Sequence, residues 1–291
     1  MHQTAQSFSD KWHRNRDLAF SETLREGSEI QQWILRRNGW DGTEGLRAHL
    51  SERRRILDAG CGNGRVTALL RLHAANEAGV VGIDLTAADV ARANLERAER
   101  TEFQTRDLLG DLADLGRFDF IYCQEVLHHT ADPRQAFLNL SGLLAPGGEL
   151  AIYVYRVKAP SREFTDDFVR SAISGMPYEQ AMAVCRQITA LGKALHDAGQ
   201  TVRVPAVEVL GIPAGEYPVQ RLLYHFFLKC FWNDALSFED NAVINYDWFH
   251  PQLATRHTMP EVLGWFEEAG LRVIHRLEDE YGITVRGTAA A

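Results

Sequence analysis

Three glycines at alternate positions, Gly60, Gly62 and Gly64, stand between a short apolar run, Arg55-Ile-Leu-Asp-Ala59, and a segment carrying Val66, Leu69, Leu70 and Leu72 at helical spacing. A strand that ends in such a loop and feeds a helix opens a βαβ unit, because glycine allows a tight turn and lets a ligand approach with no Cβ in the way. From Arg55 onward short apolar runs alternate with amphipathic stretches, the pattern of a parallel sheet covered by helices. Val80–Asp84 reads as the second strand, Glu102–Thr105 as a weak third, Phe118–Cys123 as the fourth and Glu149–Tyr155 as the fifth. Thr86 with Asp89 reads as an acidic variant of the capping box ahead of a helix bearing Val90, Ala91 and Leu95. Asp132-Pro133 supplies an N-cap and a preset first residue for a helix over Arg134–Leu144, which Pro146-Gly147-Gly148 ends.

On either side of this block the pattern differs. Residues 1–54 set Phe8, Trp12, Phe20, Trp33 and Trp40 among charges without strand-like alternation, which predicts a helical preface. After Tyr155 the βα alternation stops. Pro177–Gly199 has the spacing of an amphipathic helix, Gln200–Gly215 reads as a connector rich in Pro and Gly, and Tyr217–Trp232 reads as a second helix. Residues 156–245 are therefore expected to be a helical insertion, a lid or substrate cap. Thr258 and Glu261 form a capping box for a helix closed by Gly270, and Leu271–Leu277 and Tyr281–Arg286 read as the last two strands, with Gly287–Ala291 as a disordered tail. The expected fold is α/β, a Rossmann-like, seven-stranded, mostly parallel sheet with helices on both faces. Its core is 55–155 and 246–287, so the 291 residues make one enlarged domain.

Composition narrows the partners. Lys and Arg total 31 against 39 Asp and Glu, a net charge of −8, so the chain as a whole offers no field that gathers nucleic acid or anionic lipid and mildly favours a cation. Cys61, Cys123, Cys185 and Cys230 form no CxxC pair, which argues against a zinc knuckle or disulfide framework and fits a reduced, cytoplasmic setting. The N-terminus is polar and reads as carrying no secretory signal. The most apolar stretch, Leu222–Trp232, is interrupted by His225 and Lys229 and is far short of the roughly 20 residues that span a bilayer, so a buried helix is expected and no membrane partner.

The glycine spacing selects among ligands. A dinucleotide site uses G-x-G-x-x-G, and this loop departs from that template by one residue. Asp58, immediately before it, is a poor neighbour for a pyrophosphate and a suitable one for a cationic cofactor. Asp58-Ala-Gly60-Cys-Gly62-Asn-Gly64 resembles the first motif of class I S-adenosylmethionine-dependent methyltransferases, and the later residues extend the match. The resemblance covers about Arg55–Tyr155 and the final helix and strands. It implies S-adenosyl-L-methionine as cofactor, cradled by Gly60, Cys61, Gly62 and Gly64 beside Asp58. It also implies that Asp84, with Leu85 beside it, accepts hydrogen bonds from the ribose hydroxyls, and that Asp107 contacts the adenine amine while Leu108 offers a backbone N–H. Gln124 and Glu125, opening the stretch Gln124–Pro133, would wall the methionine end. Trp12 and Trp33 could cover the cofactor or simply pack the helices.

Methyl transfer from a sulfonium is an in-line displacement, so positioning is most of the mechanism, and a base is needed only where the nucleophile must lose a proton. His128 and His129, after the fourth strand, lie where open α/β sheets bind ligands and are the candidate catalytic pair. No neighbouring spacing completes a metal site around them. Asn245–Pro251 and the following residues are dense in aromatic, carboxylate and imidazole groups. Tyr246, Asp247, His250 and His257 could form an acceptor wall, and an aromatic loop plugging space is the competing reading. The expected function is methylation of O or N on a small-molecule acceptor in secondary or polysaccharide metabolism. The alternatives are a tRNA-modifying methyltransferase, a non-catalytic cofactor-binding protein and, disfavoured by the loop spacing, an NAD-binding oxidoreductase.

Overall fold

In the computed structural model, which describes residues 3–291, the preface forms four helices, α1 (Gln3–Arg14), α2 (Phe20–Leu24), α3 (Glu29–Arg37) and α4 (Gly42–Leu50). Ser28 caps α3, its side chain accepting from Gln31 N. The alternating block follows as β1 (Arg55–Ala59), α5 (Arg65–His73), β2 (Gly79–Asp84), α6 (Ala88–Asn94), β3 (Thr101–Thr105), β4 (Phe118–Gln124), α7 (Pro133–Ser141) and β5 (Leu144–Tyr155). Asp132 caps α7 through Gln135 N, with Pro133 at its first position. After β5 come α8 (Pro160–Ile173), α9 (Tyr178–Asp197), β6 (Thr201–Val204), β7 (Gly215–Pro218), α10 (Val219–Phe226) and α11 (Phe238–Phe249). The chain ends with α12 (Met259–Glu268), β8 (Arg272–Glu278) and β9 (Gly282–Thr288).

Seven strands form one sheet in the order β3-β2-β1-β4-β5-β9-β8, the first five parallel and β9 antiparallel to both of its neighbours. Period-two alternation sends Ile56, Phe120 and Tyr122 to one face, against Ile34 and Leu35 of α3, Leu46 and Leu50 of α4 and Leu69 and Leu70 of α5. Leu57, Ile121 and Cys123 point to the other, against Phe137 of α7 and Trp265 and Phe266 of α12. Both faces are covered, as a parallel sheet requires. The strand order reverses between β1 and β4, which places a ligand crevice at their carboxyl ends.

The chain divides into two compact units. The first is Trp12–Arg156 with Thr255–Ala291 and holds the sheet; the second is Val157–Ala254 with the chain up to Lys11. Residues 246–254 thus fall in the second unit, and the first residues of the preface do as well. In the second unit α11 packs on α8 and α9, and α10 on α8 and α9.

Four local expectations are corrected. Gln200–Gly215 is not a plain connector, because β6 pairs with β7 from Thr201↔Pro218 to Val204↔Gly215. The second helix of the insertion stops at Phe226 instead of Trp232. The backbone beyond it finds side-chain partners that replace helical hydrogen bonds: Lys229 N donates to Asp166 at 3.0 Å, Phe231 N to Asn245 at 3.0 Å, and Cys230 O accepts from Gln220 Nε2 at 2.9 Å. Thr86 and Asp89 do not form a capping box, since α6 has Ala87 at its N-cap with no side-chain bond and Asp89 pairs with His13 at 3.0 Å. Gly287–Ala291 is ordered: β9 runs to Thr288, Ala289 N donates to Gly148 O and Ala290 O accepts from Gly147 N, both at 2.9 Å.

Candidate active site

At the carboxyl end of β1 the N–H groups of Gly60 and Cys61 both donate to Ile83 O of β2, at 2.7 and 3.0 Å. The loop is therefore bent over β2, in a conformation with φ of 86° at Gly60 and 53° at Gly62 that side chains rarely tolerate. A Cβ on Gly60 would overlap the Val126 side chain, and one on Gly62 would come within 2.8 Å of the Trp12 indole. Val126, just after β4, and Trp12, from α1, thus grip the loop from two directions. Sequence reading missed Val126 and left Trp12 undecided.

Asp84 ties this loop to the next helix. Its Oδ2 accepts from Gly62 N at 3.0 Å, while Oδ1 accepts from Thr86 N at 2.8 Å and Ala87 N at 2.9 Å. The carboxylate takes over the capping expected of Thr86, through an Asx-type turn. Oδ1 is saturated, but Oδ2 has a single donor and keeps an acceptor site open toward a hydroxyl. Leu85 beside it is 47% exposed, an apolar side chain offered to the crevice side of the loop. Asp107 is exposed and its Oδ1 accepts from Leu109 N at 2.9 Å, leaving Oδ2 available; Leu108 next to it is buried.

Asp58 is buried and accepts from Thr67 Oγ1 at 2.5 Å. Burial pushes its carboxyl up to about 7, against the pull of the Thr67 hydroxyl and with help from the charge of Asp84. It supports the loop from beneath and holds a latent negative charge there. The same burial and the same two carboxylates push the Cys61 thiol well above its ordinary value, so Cys61 is an inert packing residue and no nucleophile.

Gln124 faces the preface, where its amide exchanges hydrogen bonds in both directions with that of Asn38. Glu125 stands in the left-handed region at φ 69°, and its carboxylate meets Arg65 Nη2 at 3.4 Å and Arg37 Nη1 at 3.8 Å. Such a backbone at a non-glycine residue is held by its surroundings and is typical of functional sites. Arg37, unanticipated from sequence, is fully buried, lies 3.8 Å from the Trp33 ring and 4.6 Å from the Tyr153 ring, and donates to Tyr122 Oη at 3.1 Å. Its Nε and Nη1 have no hydrogen-bond acceptor among the described residues. A buried guanidinium with two open donors beside a carboxylate is a ready partner for the two ends of an amino acid.

His128 has no exposed surface and stacks on Tyr155 with ring centroids 3.6 Å apart, whereas His129 is partly exposed with its ring 4.3 Å from that of His128. Thr255 N fixes the loop by donating to His128 O at 2.9 Å. His257 N donates to Tyr155 O at 2.8 Å, and its ring nitrogens lie 2.9 Å from Thr255 Oγ1 and 2.8 Å from Glu261 Oε1.

The other residues of the expected acceptor wall belong to the second unit, Tyr246 and Asp247 on α11 and His250 just past its end. Tyr246 on α11 is fully buried and stacks on His250 at 4.5 Å, with Tyr178 5.0 Å away. His250 makes contacts of 2.9 Å to Ser7 Oγ and 3.0 Å to Met176 O, and burial lowers its basicity. Asp247 pairs with Lys11 at 3.0 Å. Tyr246 and His250 are thus interior packing groups of that unit. Among the described residues no group of three or more His, Cys, Asp or Glu is placed to hold a metal ion, and no helix is long and apolar enough to cross a membrane.

Residues 57–152 match the family model described as a methyltransferase domain. Curated relatives align over segments of about the same length. They include an uncharacterized Synechococcus protein, 45% identical over 109 residues, or 35% of this chain and 26% of that one. A ubiquinone biosynthesis O-methyltransferase of Coxiella burnetii is 36% identical over 98 residues, 33% of this chain and 41% of its own. The 27-O-demethylrifamycin SV methyltransferase of Amycolatopsis mediterranei is 35% identical over 104 residues, 34% and 37% of the two chains. The chain thus spans less than half the length of the curated relatives it matches. An O-methyltransferase family protein from Burkholderia thailandensis shares the fold, at a TM-score of 0.51 and 17% identity over 96% of this chain and 60% of that one. With the sheet order, the glycine loop and Asp84 in place, residues 57–152 of this chain are similar in sequence and in fold to a methyltransferase domain.

Proposed function

We propose that the protein transfers a methyl group from S-adenosyl-L-methionine to an oxygen or nitrogen atom of a small-molecule acceptor. The observation that carries this reading is Asp84, which holds Gly62 while one of its oxygens stays open at the carboxyl edge of β2. When bound, the cofactor supplies a methyl group on a sulfonium, open to in-line attack by a lone pair. The residues present fit it. The strained glycine loop brings backbone close to a ligand, Asp84 Oδ2 takes a ribose hydroxyl, and Asp107 with Leu108 meets the adenine edge. Glu125, Arg37 and Arg65 form a carboxylate and guanidinium set suited to the amino and carboxyl groups of the methionine end. Asp58 and Asp84 make the surroundings favourable for a positive sulfur.

For an acceptor hydroxyl or ammonium, His129 takes the proton, because it is the member of the histidine pair with surface to offer, while His128 holds it in place. Two of the relatives are named as a ubiquinone biosynthesis O-methyltransferase and a 27-O-demethylrifamycin SV methyltransferase, which supports a small acceptor here, and the acidic balance of the chain disfavours RNA. The test is calorimetric titration with S-adenosylmethionine and with NAD, followed by labelled-methyl transfer to a panel of small hydroxy and amino compounds and to bulk tRNA. Saturable S-adenosylmethionine binding with label in a small molecule supports the reading; failure to bind it overturns the cofactor, and label in tRNA alone overturns the acceptor.

A further inference from the structure

Two helices of the second unit carry an arginine in their first turn, and one of them, α10, has no acidic residue there to offset it. α8 starts Pro160-Ser161-Arg162 and α10 starts Val219-Gln220-Arg221 after Pro218, and neither N-cap residue supplies a side-chain hydrogen bond. Helix N-termini carry partial positive charge and ordinarily collect carboxylates or bound anions, so an arginine in the first turn of each is unfavourable unless an anion joins it. In α10 no acidic residue occupies the first turn; in α8 Glu163 does, and it accepts from Lys158 N at 2.6 Å.

The two arginines share one ring. The Arg162 guanidinium carbon lies 4.7 Å and that of Arg221 5.6 Å from the centre of Tyr224. Arg162 is also 5.3 Å from the Trp248 ring, and Lys229 Nζ is 4.8 Å from it. Arg162 has a carboxylate partner in Asp166, whose oxygens are engaged by Arg162 Nε at 3.0 Å, Trp248 Nε1 at 2.8 Å and Lys229 N at 3.0 Å. Arg221 has no ion pair among the described residues, and its Nη1 is buried with no hydrogen-bond acceptor. A buried donor without a partner costs free energy, and Arg162 and Arg221 beside one ring, with Asp166 already engaged, leave the open donor of Arg221 unmatched. His225, one turn beyond Arg221, reports the same field: burial first, then Arg162, Arg221 and Lys158, lower its pKa to about 4, so it stays neutral near pH 7.

We propose that the second unit binds an oxyanion, the phosphate or carboxylate of a small molecule, through Arg162 and the unpartnered Nη1 of Arg221 beside Tyr224. Arg221 supplies the open donor, Arg162 the second cation, and His225 a neutral imidazole beside them. The guanidinium fork suits either oxyanion. Anion binding by this unit does not rest on the methyltransferase reading.

The experiment titrates the full chain with inorganic phosphate and, in a separate arm, with acetate, following the imidazole C–H resonances of His225 by NMR. Arg221→Gln is the main variant because Arg221 is only partly buried, and Arg221→Lys keeps the charge without the fork. Saturation in one arm is expected, with Arg221→Gln weakening it at least about tenfold, Arg221→Lys less, and the affinity for S-adenosylhomocysteine unchanged. The saturating arm identifies phosphate or carboxylate as the group recognised. Absence of saturation in both arms, or equal affinity in Arg221→Gln, overturns the proposal. Anion binding in a chain that fails to bind S-adenosylhomocysteine would keep this site and remove the methyltransferase reading.

Discussion

His128 lies nearly flat on Tyr155, 28° from parallel with ring centroids 3.6 Å apart, and has no exposed surface, while its neighbour His129 is partly open. Two adjacent imidazoles thus have different physical situations. His128→Ala empties a packed site and is expected to cost about 2–4 kcal/mol of stability. His129→Ala leaves stability nearly unchanged and lowers turnover by roughly 10²–10⁴-fold if the acceptor must lose a proton. Urea unfolding together with labelled-methyl transfer checks both. Equal loss of turnover in the two variants, with stability intact, would reject the division of labour.

Asp84 joins the loop, the start of α6 and an open acceptor site in one side chain. Asp84→Asn retains the shape but loses the charge, and hydrogen bonds to charged groups contribute about 1.5–3 kcal/mol. Affinity for S-adenosylhomocysteine should fall about 10- to 100-fold, read by calorimetry, with a smaller effect on unfolding. Unchanged affinity would mean that Asp84 serves only the turn.

Glu125 combines backbone strain with an ion pair to buried Arg37. Glu125→Gln keeps the strain and removes the charge, leaving Arg37 without its carboxylate, so it should destabilise by about 1–3 kcal/mol. Glu125→Gly removes the charge as well but relaxes φ, and should be about 1 kcal/mol more stable than Glu125→Gln. Denaturant midpoints of the three proteins test this ordering. Glycine less stable than glutamine would show that the left-handed backbone carries no strain.

The parts of this molecule that were legible in the sequence are those whose cause is local. Gly60-x-Gly62-x-Gly64 after an apolar run, Asp132-Pro133 before α7 and the Thr258–Glu261 box before α12 each declare themselves within a few residues. Short strands β6 and β7 did not, because neither buries a face and the stretch between them holds Pro205, Gly211 and Pro213, which read as a connector. The early end of α10 was hidden for another reason: its cause, Asp166 and Asn245 accepting from Lys229 and Phe231, lies 63 and 14 residues away in the chain. Arg37 and Trp12 reach the site from the preface by long-range packing, which no spacing announces. The histidine and aromatic density of Asn245–Pro251 allowed two readings, an acceptor wall or packing, and spacing alone does not choose between them because the stacking of Tyr246 on His250 is a tertiary contact.

Asp58 gives the last prediction its sign. In the folded chain its carboxyl is raised to about 7, mainly by burial, whereas an unfolded Asp titrates near about 4. The stabilisation associated with neutral Asp58 is fully present below the unfolded value and is lost as pH rises through about 7. Stability should therefore decline between about pH 4 and 7 with a slope approaching about 1.4 kcal/mol per pH unit from this group alone. His49 opposes it. Burial, then Arg286 and Arg53, depress its pKa to about 3, so it contributes stability that is lost as pH falls below its unfolded value of about 6.5. Asp58→Asn isolates the first effect: unfolding free energies measured across this range should lose the alkaline decline and keep the acid one. A positively charged sulfonium near the loop favours ionised Asp58, so the affinity ratio of S-adenosylmethionine to uncharged-sulfur S-adenosylhomocysteine should rise with pH toward about 7 and become flat in Asp58→Asn. Competition binding at several pH values reads that ratio, and a ratio independent of pH in the parent protein would place the sulfur out of reach of Asp58.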